Sequence, residues 1–213
     1  MNEIYENRPA ALKGLDQVHM GPDSVVRTCN KLGGYIGGKD LLFIGDDDLM
    51  SVTMFRLCNP RLATVLDIDK RILGHIEGLA RKYNFNIQTK SYDVLGDLPI
   101  GLVGSADFFY TNPPYGSKNQ GDSCKAFILR GIEGIKIGCH GAFIMGSGNQ
   151  HGWARKVEER TLRFTAESGC SLIETFAEFQ SYHANPIKSS MFLIRKDSEV
   201  KPNKKFLEGI VLY

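Results

Sequence analysis

The chain has 213 residues, enough for one domain to bury a substantial core without disulfides or metals. Its 26 basic and 24 acidic side chains give a formal net charge of +2, a balance that argues against a protein that coats nucleic acid or adsorbs to membranes. Its five cysteines are scattered and predict neither a disulfide framework nor a zinc knuckle. No segment approaches the ~20 apolar residues that cross a bilayer, and no leader pattern is evident, so we expect a soluble cytoplasmic protein.

Short apolar runs that stop at glycine or a polar residue alternate with helical patterns along the chain. The runs predict strands over residues 40–44, 62–66, 86–90, 106–110, 141–145, 171–176 and 190–195. Periodic apolar residues predict helices over residues 21–32, 49–57, 72–83, 125–135 and 153–167, the first ended by the glycines at 33, 34, 37 and 38. This order predicts an α/β, Rossmann-like fold with a mostly parallel, seven-stranded sheet and helices on both faces. We expect residues 1–38 to form a helical lead-in and residues 39–213 one catalytic domain.

Polar residues follow four of the predicted strands at the point where each strand ends. In open α/β sheets a ligand lies across the carboxyl ends of the strands, so these positions are candidates for a site. They are residues 45–48, 67–69, 91–93 and 111–115. Together they predict a nucleoside site beside a reaction site.

The second and third of these ends predict contacts to a nucleoside. Asp67, or with less support Asp69, is placed to accept hydrogen bonds from ribose hydroxyls, and Ile68 between them is predicted to bind the co-substrate as well. An aspartate at either position could instead cap the following helix. Asp93 is placed to accept a hydrogen bond from the adenine amino group, although it could instead open the turn at residues 94–96.

The first loop carries one glycine, Gly45, followed by the three carboxylates of Asp46, Asp47 and Asp48. A loop that binds a dinucleotide or an ordinary methyl donor uses several glycines instead. Three aspartates would repel the carboxylate of S-adenosylmethionine and attract the cationic aminopropyl group of its decarboxylated form, by ~1–3 kcal/mol for a close pair. We therefore predict that Gly45 and Asp46 bind decarboxylated S-adenosylmethionine, with S-adenosylmethionine as the alternative co-substrate, and that Asp47 and Asp48 bind a cationic substrate. The alternative is that the aspartates only cap the next helix.

The tetrad Asn112-Pro113-Pro114-Tyr115 is the most specific signal in the sequence. Its two prolines fix an extended backbone, so that the side-chain oxygen of Asn112 and the carbonyl of Pro113 can accept hydrogens from one amine, with Tyr115 as a wall. Such acceptors direct the nitrogen lone pair at an electrophilic carbon next to a sulfonium, and proximity supplies most of the acceleration. We predict that Asn112, Pro113 and Tyr115 are catalytic together with the three aspartates of the first loop.

Other aromatic and histidine residues carry weaker predictions. His183 is placed to line the acceptor pocket, with a structural loop role as the alternative. Tyr92, Phe179 and Tyr182 could form pocket walls, and Trp153 and Phe164 have a spacing compatible with core packing. The remaining histidines have no neighbours at ligand spacing, so we predict no metal.

Two families share these motifs. The tetrad at residues 112–115 resembles that of the amine-methylating DNA methyltransferases. The first-loop sequence at residues 45–49, the pair Asp67 and Asp69, the dipeptide at residues 16–17 and the helix end at residues 130–132 more closely resemble the branched-chain polyamine synthases, also called bis(aminopropyl)spermidine synthases. This resemblance spans residues 16–195. It implies a fold of the S-adenosylmethionine-dependent methyltransferase type and aminopropyl transfer from decarboxylated S-adenosylmethionine to a polyamine amine, with release of methylthioadenosine.

The chain also departs from that family. Its archaeal members carry aspartate at the position of Asn112 and a winged-helix region ahead of the catalytic part. Because a polyamine nitrogen is protonated at neutral pH, one aspartate of the first loop is then expected to take its proton. The insertion over residues 117–123 suggests a mobile lid or a different acceptor.

Three functions follow, of which aminopropyl transfer to a small-molecule polyamine is favoured. The second is methylation of an amine of the N6-adenine type in nucleic acid or a nucleotide, and the third is a catalytically silent nucleotide-binding partner. The chain is short for a methyltransferase with a target-recognition domain and lacks an evident basic face, so a nucleic-acid partner is less favoured. We expect no membrane partner, and a homodimer is the candidate assembly.

Overall fold

A single seven-stranded sheet organises the chain. The computed structural model describes residues 2–115, 118–148, 151–182, 188–199 and 204–212. The strands are β1 (Asp40–Ile44), β2 (Leu62–Asp67), β3 (Ile87–Ser91), β4 (Ala106–Thr111), β5 (Ile135–Gly146), β6 (Cys170–Gln180) and β7 (Ser189–Lys196). The helices are α1 (Asn2–Tyr5), α2 (Pro22–Ile36), α3 (Met50–Cys58), α4 (Lys70–Tyr83), α5 (Asp122–Gly134) and α6 (Gly152–Glu167). Short 3-10 helices cover Lys13–Leu15, Ile100–Leu102 and Lys205–Leu207.

The strand order is β3-β2-β1-β4-β5-β7-β6. The first five strands in this order pair in parallel, and β7 runs antiparallel between β5 and β6. Phe43 of β1 is level with Val65 of β2 and Tyr110 of β4, so the carboxyl ends of these three strands form one edge. The predicted fold class is confirmed, because the apolar runs are strands covered by helices on both faces.

Two apolar cores lie on opposite faces of the sheet. Phe43 points into a core shared with α2, α3 and α4, whereas Leu42 and Ile44 point into a core shared with α5 and α6, as the period of two requires. Helix α5 packs closely because Gly131 faces the ring of Phe109, where a Cβ atom would come within 2.3 Å of Cδ2. This packing brings the first turns of α5 close to the end of β1.

Three predicted boundaries are wrong by four residues or more, one of them the end of β6, which lies at Gln180 and not at residue 176. Helix α2 continues through Gly33 and Gly34 to Ile36 and ends at Gly37, whose N–H donates to the carbonyl of Gly33 at 3.3 Å. The extra turn is stabilised by burial of Ile36, so tertiary packing outweighs the low helix propensity of glycine. Strand β5 begins at Ile135, six residues before the predicted start at 141, because Ile135 pairs with Ala106.

The lead-in residues share a core with the rest of the chain. Val25, Cys29 and Leu32 of α2 are fully buried in the same cluster as Phe43 of β1. The division at residue 38 stays a prediction. In the part of the chain that the structure describes, no helix is both long and apolar enough to span a membrane.

Candidate active site

A cleft opens across the carboxyl ends of β1, β2 and β4, with a volume of about 220 Å³. It is lined by Leu15, Asp16, Gln17, Val18, Ile44, Gly45, Asp47, Leu66, Asp67, Ile68, Tyr92, Val94, Asn112, Pro113, Pro114, Tyr115, Phe127, Trp153 and Tyr182. The cleft thus brings together nine of the residues predicted from sequence: Gly45, Asp47, Asp67, Ile68, Tyr92, Asn112, Pro113, Tyr115 and Tyr182.

The chain leaves β1 through a turn that needs glycine. Gly45 has a φ of +73°, and its N–H donates to the carbonyl of Leu66 at 2.7 Å. A Cβ atom at this position would lie 3.3 Å from Cε1 of Phe127. A side chain here would be strained and would crowd the wall of the cleft.

Asp46 lies behind the cleft and caps α3. Its Oδ1 accepts a hydrogen bond from the N–H of Met50 at 2.7 Å and its Oδ2 accepts one from the N–H of Ser51 at 3.1 Å. Burial raises the pKa of Asp46 to about 8, opposed by these hydrogen bonds. The structure therefore gives Asp46 the capping role that was the alternative for the first loop, and Asp46 does not line the cleft.

Asp47 is the first-loop aspartate that faces the cleft. It is half-buried, and within the described residues its carboxylate has neither a hydrogen-bond nor an ion-pair partner. Burial raises the pKa of Asp47, and the neighbouring charges of Asp48, Asp67 and Asp46 raise it further. A cation in the cleft would relieve both effects.

Asp48 is buried and connects three segments of the site. Its Oδ1 accepts a hydrogen bond from the N–H of Met20 at 2.6 Å, and its Oδ2 accepts one from Nδ2 of Asn112 at 2.7 Å. Burial raises its pKa, although these two hydrogen bonds favour the charged form. Asp48 does not line the cleft, so it can affect a substrate only through the residues that it holds.

The tetrad after β4 forms the opposite wall. The hydroxyl of Tyr182 donates to Oδ1 of Asn112 at 3.2 Å, and it also contacts the hydroxyl of Tyr115. The rings of Tyr115 and Tyr182 meet edge to face, with centroids 6.2 Å apart. Beneath the loop, the thiol of Cys124 donates to the carbonyl of Pro114 at 3.2 Å. The amide of Asn112 is thus held at both ends.

Asp67 closes the other end of the cleft as the last residue of β2. Its Oδ2 accepts a hydrogen bond from the N–H of Asp46 at 2.9 Å, and its Oδ1 accepts one from the N–H of Asp69 at 2.8 Å. Burial raises the pKa of Asp67, and the two hydrogen bonds oppose that rise. Each carboxylate oxygen keeps a lone pair for a ligand, and Ile68 adds a partly exposed apolar surface beside it.

Two predicted nucleoside residues lie outside the cleft. Asp69 caps α4 by accepting from the N–H of Arg71, with which it also forms a 2.6 Å ion pair. Asp93 is exposed and accepts from the N–H of Leu95 at 3.0 Å, so it opens the turn, which was its alternative role. His183 lies outside the described residues.

Several residues of the cleft were not predicted to line it. Trp153 was predicted to pack in the core, but it lines the cleft from the first turn of α6. This helix follows the carboxyl end of β5, so the position of Trp153 after a fifth strand could have indicated its place in the site. Residues 15–18 form a wall that no periodicity predicts. Gln17 docks this wall on α4 by donating from Nε2 to Oδ2 of Asp69 at 3.2 Å. Within the described ranges, no group of three or more His, Cys, Asp or Glu side chains is placed to hold a metal ion.

Comparison with known proteins identifies the family of the chain. The family model of the branched-chain polyamine synthase A C-terminal domain matches residues 1–211. The chain belongs to this family. It is 32% identical over 145 residues to the N(4)-bis(aminopropyl)spermidine synthase of Thermococcus kodakarensis, covering 66% of this chain and 40% of that protein. The synthase of the same name from Thermus thermophilus is 29% identical over 139 residues, which are 64% of this chain and 39% of that protein. The chain therefore spans about two fifths of the length of these curated relatives.

Solved structures show the same fold. The branched-chain polyamine synthase from Thermus thermophilus, in complex with N4-aminopropylspermidine and 5′-methylthioadenosine, matches with a TM-score of 0.84 at 22% identity, over 98% of this chain and 66% of that chain. A putative RNA methyltransferase from Pyrococcus horikoshii matches with a TM-score of 0.69 at 14% identity, over 89% of this chain and 92% of that chain. The chain thus has the fold of the S-adenosylmethionine-dependent methyltransferases.

Proposed function

We propose that this chain transfers an aminopropyl group from decarboxylated S-adenosylmethionine to an amine of a polyamine and releases methylthioadenosine. The observation that carries the proposal is the charge of the cleft. Its lining contains the carboxylates of Asp16, Asp47 and Asp67, and among the described residues it contains no lysine, arginine or histidine. Such a cleft favours cationic ligands and disfavours phosphates. Membership of the polyamine synthase family supports the same conclusion.

In this proposal the donor lies between β1 and β2. The ribose hydroxyls donate to Asp67, whose two oxygens each retain an acceptor site. Ile68 and Phe127 provide apolar contact for the nucleoside, and Gly45 lets the backbone approach it. The aminopropyl ammonium of the donor is attracted by the carboxylates that line the cleft, whereas the carboxylate of S-adenosylmethionine would be repelled by them.

The acceptor amine lies at the tetrad. The Asn112 side chain and the Pro113 carbonyl accept its hydrogens, so that the nitrogen lone pair points at the donor carbon next to the sulfonium. A C–N bond forms as the C–S bond breaks, and the sulfur leaves with the electron pair as neutral methylthioadenosine. Holding the two reactants in this geometry supplies most of the acceleration.

Asp47 is the proposed proton acceptor. A polyamine amine titrates near ~10 and must lose a proton before it can attack. An ordinary carboxylate is a weak base for such an ammonium. Burial and neighbouring charges raise the pKa of Asp47 in the empty cleft, and the bound ammonium offsets part of this rise; the part that remains brings the pKa of Asp47 closer to that of the amine. Asp47 therefore first holds the cation and then takes its proton.

The test is a side-by-side assay of the purified protein. Each donor, S-adenosylmethionine or its decarboxylated form, is combined with spermidine or duplex DNA, and the released nucleoside is identified by mass. Methylthioadenosine formed only from the decarboxylated donor with spermidine would support the proposal. S-adenosylhomocysteine would instead establish methylation, and binding of methylthioadenosine without any turnover would favour a silent partner protein. The Asn112→Ala variant is the matched control, because it should lose turnover while keeping its affinity for methylthioadenosine.

A further inference from the structure

Tyr182 lies just after β6, the edge strand of the sheet, and its side chain lines the cleft. Its backbone forms an antiparallel bridge with Met20, and the N–H of Gly21 donates to the carbonyl of Ser181 at 3.2 Å. The N–H of Ser181 donates in turn to Oγ of Ser24 at 3.1 Å. The end of β6 is therefore tied to the start of α2, which fixes where the phenol ring of Tyr182 can point.

The Tyr182 hydroxyl joins a chain of hydrogen bonds that ends at a carboxylate. Oγ of Ser189 donates to this hydroxyl at 3.2 Å, and the hydroxyl of Tyr115 contacts it. The Tyr182 hydrogen is donated to Oδ1 of Asn112, and Nδ2 of Asn112 donates to Oδ2 of Asp48 at 2.7 Å. Burial raises the pKa of both Tyr115 and Tyr182, so both phenols stay protonated and can donate. Every hydrogen in the chain can thus point towards Asp48.

This chain decides which way the Asn112 amide faces. With the amide flipped, its oxygen would oppose the carboxylate of Asp48 and its NH₂ group would face the Tyr182 hydroxyl. Donation from Nδ2 to a carboxylate also increases electron density on Oδ1. Tyr182 occupies one lone pair of that oxygen and leaves the other for a ligand in the cleft.

We infer that Tyr182 is a positioning residue for the transfer reaction, whose hydroxyl fixes the Asn112 amide so that one lone pair of Oδ1 faces the attacking amine. This inference rests on the proposed function. It assigns a role to a residue separated from the tetrad by 67 positions in sequence, measured from Tyr115.

The first test is the Tyr182→Phe variant, which keeps the ring and removes the hydroxyl. We expect kcat with decarboxylated S-adenosylmethionine and spermidine to fall about tenfold, because a misplaced acceptor disturbs the attack geometry. The KM for spermidine should change by less than about threefold, since one neutral hydrogen bond outside the substrate is lost. The control is Tyr110→Phe, which removes a buried hydroxyl that has no hydrogen-bond partner among the described residues and does not line the cleft. This control should keep the wild-type kcat.

A double-mutant cycle then separates positioning from a general structural role. The single-turnover rate of aminopropyl transfer is measured for Asn112→Ala, Tyr182→Phe and the double variant, alongside the urea unfolding midpoint of each. If Tyr182 acts through Asn112, adding Tyr182→Phe to Asn112→Ala should change the residual rate by less than about twofold, against about tenfold in the wild-type background. Additive losses, or a fall in unfolding midpoint with kcat unchanged, would overturn the inference. Failure of the proposed function has a different signature, because the wild type itself would then release no methylthioadenosine.

Discussion

Replacing Asp47 with asparagine isolates the charge of the cleft from its shape. The two side chains have nearly the same volume, and Asp47 has no hydrogen-bond or ion-pair partner among the described residues that the change could disrupt. The other two first-loop aspartates do not allow this experiment, because Asp46 caps α3 and Asp48 holds Asn112. We expect Asp47→Asn to weaken binding of a polyamine to the complex with methylthioadenosine.

The size of the effect follows from the setting of the carboxylate. A hydrogen bond to a charged group contributes about 1.5–3 kcal/mol, and each 1.4 kcal/mol is a factor of about ten in affinity. Asp47 is only half-buried, so solvent screens part of its attraction and the lower part of this range applies. The dissociation constant for spermidine should therefore rise about 10- to 30-fold, and less at high ionic strength.

The same substitution should not weaken the fold. The pKa of Asp47 is higher in the folded protein than in the unfolded chain, so the folded state binds more protons between these two pKa values. The free energy of unfolding contributed by this group therefore falls as the pH rises through that window. Because asparagine does not titrate, this decrease in the free energy of unfolding is absent from the variant. Asp47→Asn should therefore be at least as stable as the wild type at neutral and higher pH.

Calorimetric titration with spermidine and urea unfolding measure the two effects. The control is Asp93→Asn, which makes the same change in net charge at an exposed aspartate that does not line the cleft. Equal losses of affinity in both variants would mean that only the total charge matters. Unchanged affinity in Asp47→Asn would refute the electrostatic argument for a cationic substrate.

The remaining predictions concern the nucleoside site, the packing of α5 and the pH dependence of stability. Asp67→Asn should weaken methylthioadenosine binding by about tenfold or more, because one charged acceptor is lost, and an unchanged dissociation constant in calorimetry would place the ribose elsewhere. Gly131→Ala should lower the free energy of unfolding, measured in urea, by about 1–3 kcal/mol, because its Cβ would come within 2.3 Å of the Phe109 ring. Gly74→Ala on the exposed face of α4 should raise it by about 0.5–1 kcal/mol, because alanine has the higher helix propensity. Equal effects of the two glycine variants would contradict the packing. Burial raises the pKa of Asp46 to about 8, so the urea midpoint should fall as the pH rises from about 7 towards that value, and a rising midpoint would contradict the raised pKa.

The sequence predicts the cleft because the physical rule behind it is positional. The carboxyl ends of parallel strands share one edge of the sheet, so Asp67 after β2 and Asn112 after β4 had to be neighbours of Gly45. The types of side chain at these positions then limit the kinds of ligand and reaction that the cleft can support. This reasoning needs only strand identity, which the buried apolar runs of the sheet indicate strongly.

The roles of the individual aspartates were out of reach of such reasoning. Residues 46–48 carry the same functional group, and only the backbone of the loop decides where each one points. Gly45 and Leu49 both have positive φ, at +73° and +56°, and between them the chain turns so that Asp47 alone faces the cleft. Contacts between residues far apart in sequence cannot be predicted from local patterns either, because they also depend on the path of the backbone. The hydrogen bond from Gln17 to Asp69 is an example.

The loop and the tetrad are best understood as one unit in which charge and hydrogen bonding belong to different residues. A carboxylate at position 112 would face Oδ2 of Asp48, which lies only 2.7 Å from Nδ2 of Asn112, and the two charges would repel each other in a buried place. The amide avoids this repulsion and gains a fixed orientation from Asp48. It cannot accept a proton from an ammonium, so the proposed reaction needs a separate carboxylate that reaches the cleft. Because Asp46 and Asp48 are both occupied by hydrogen bonds, Asp47 is the first-loop residue left for that step.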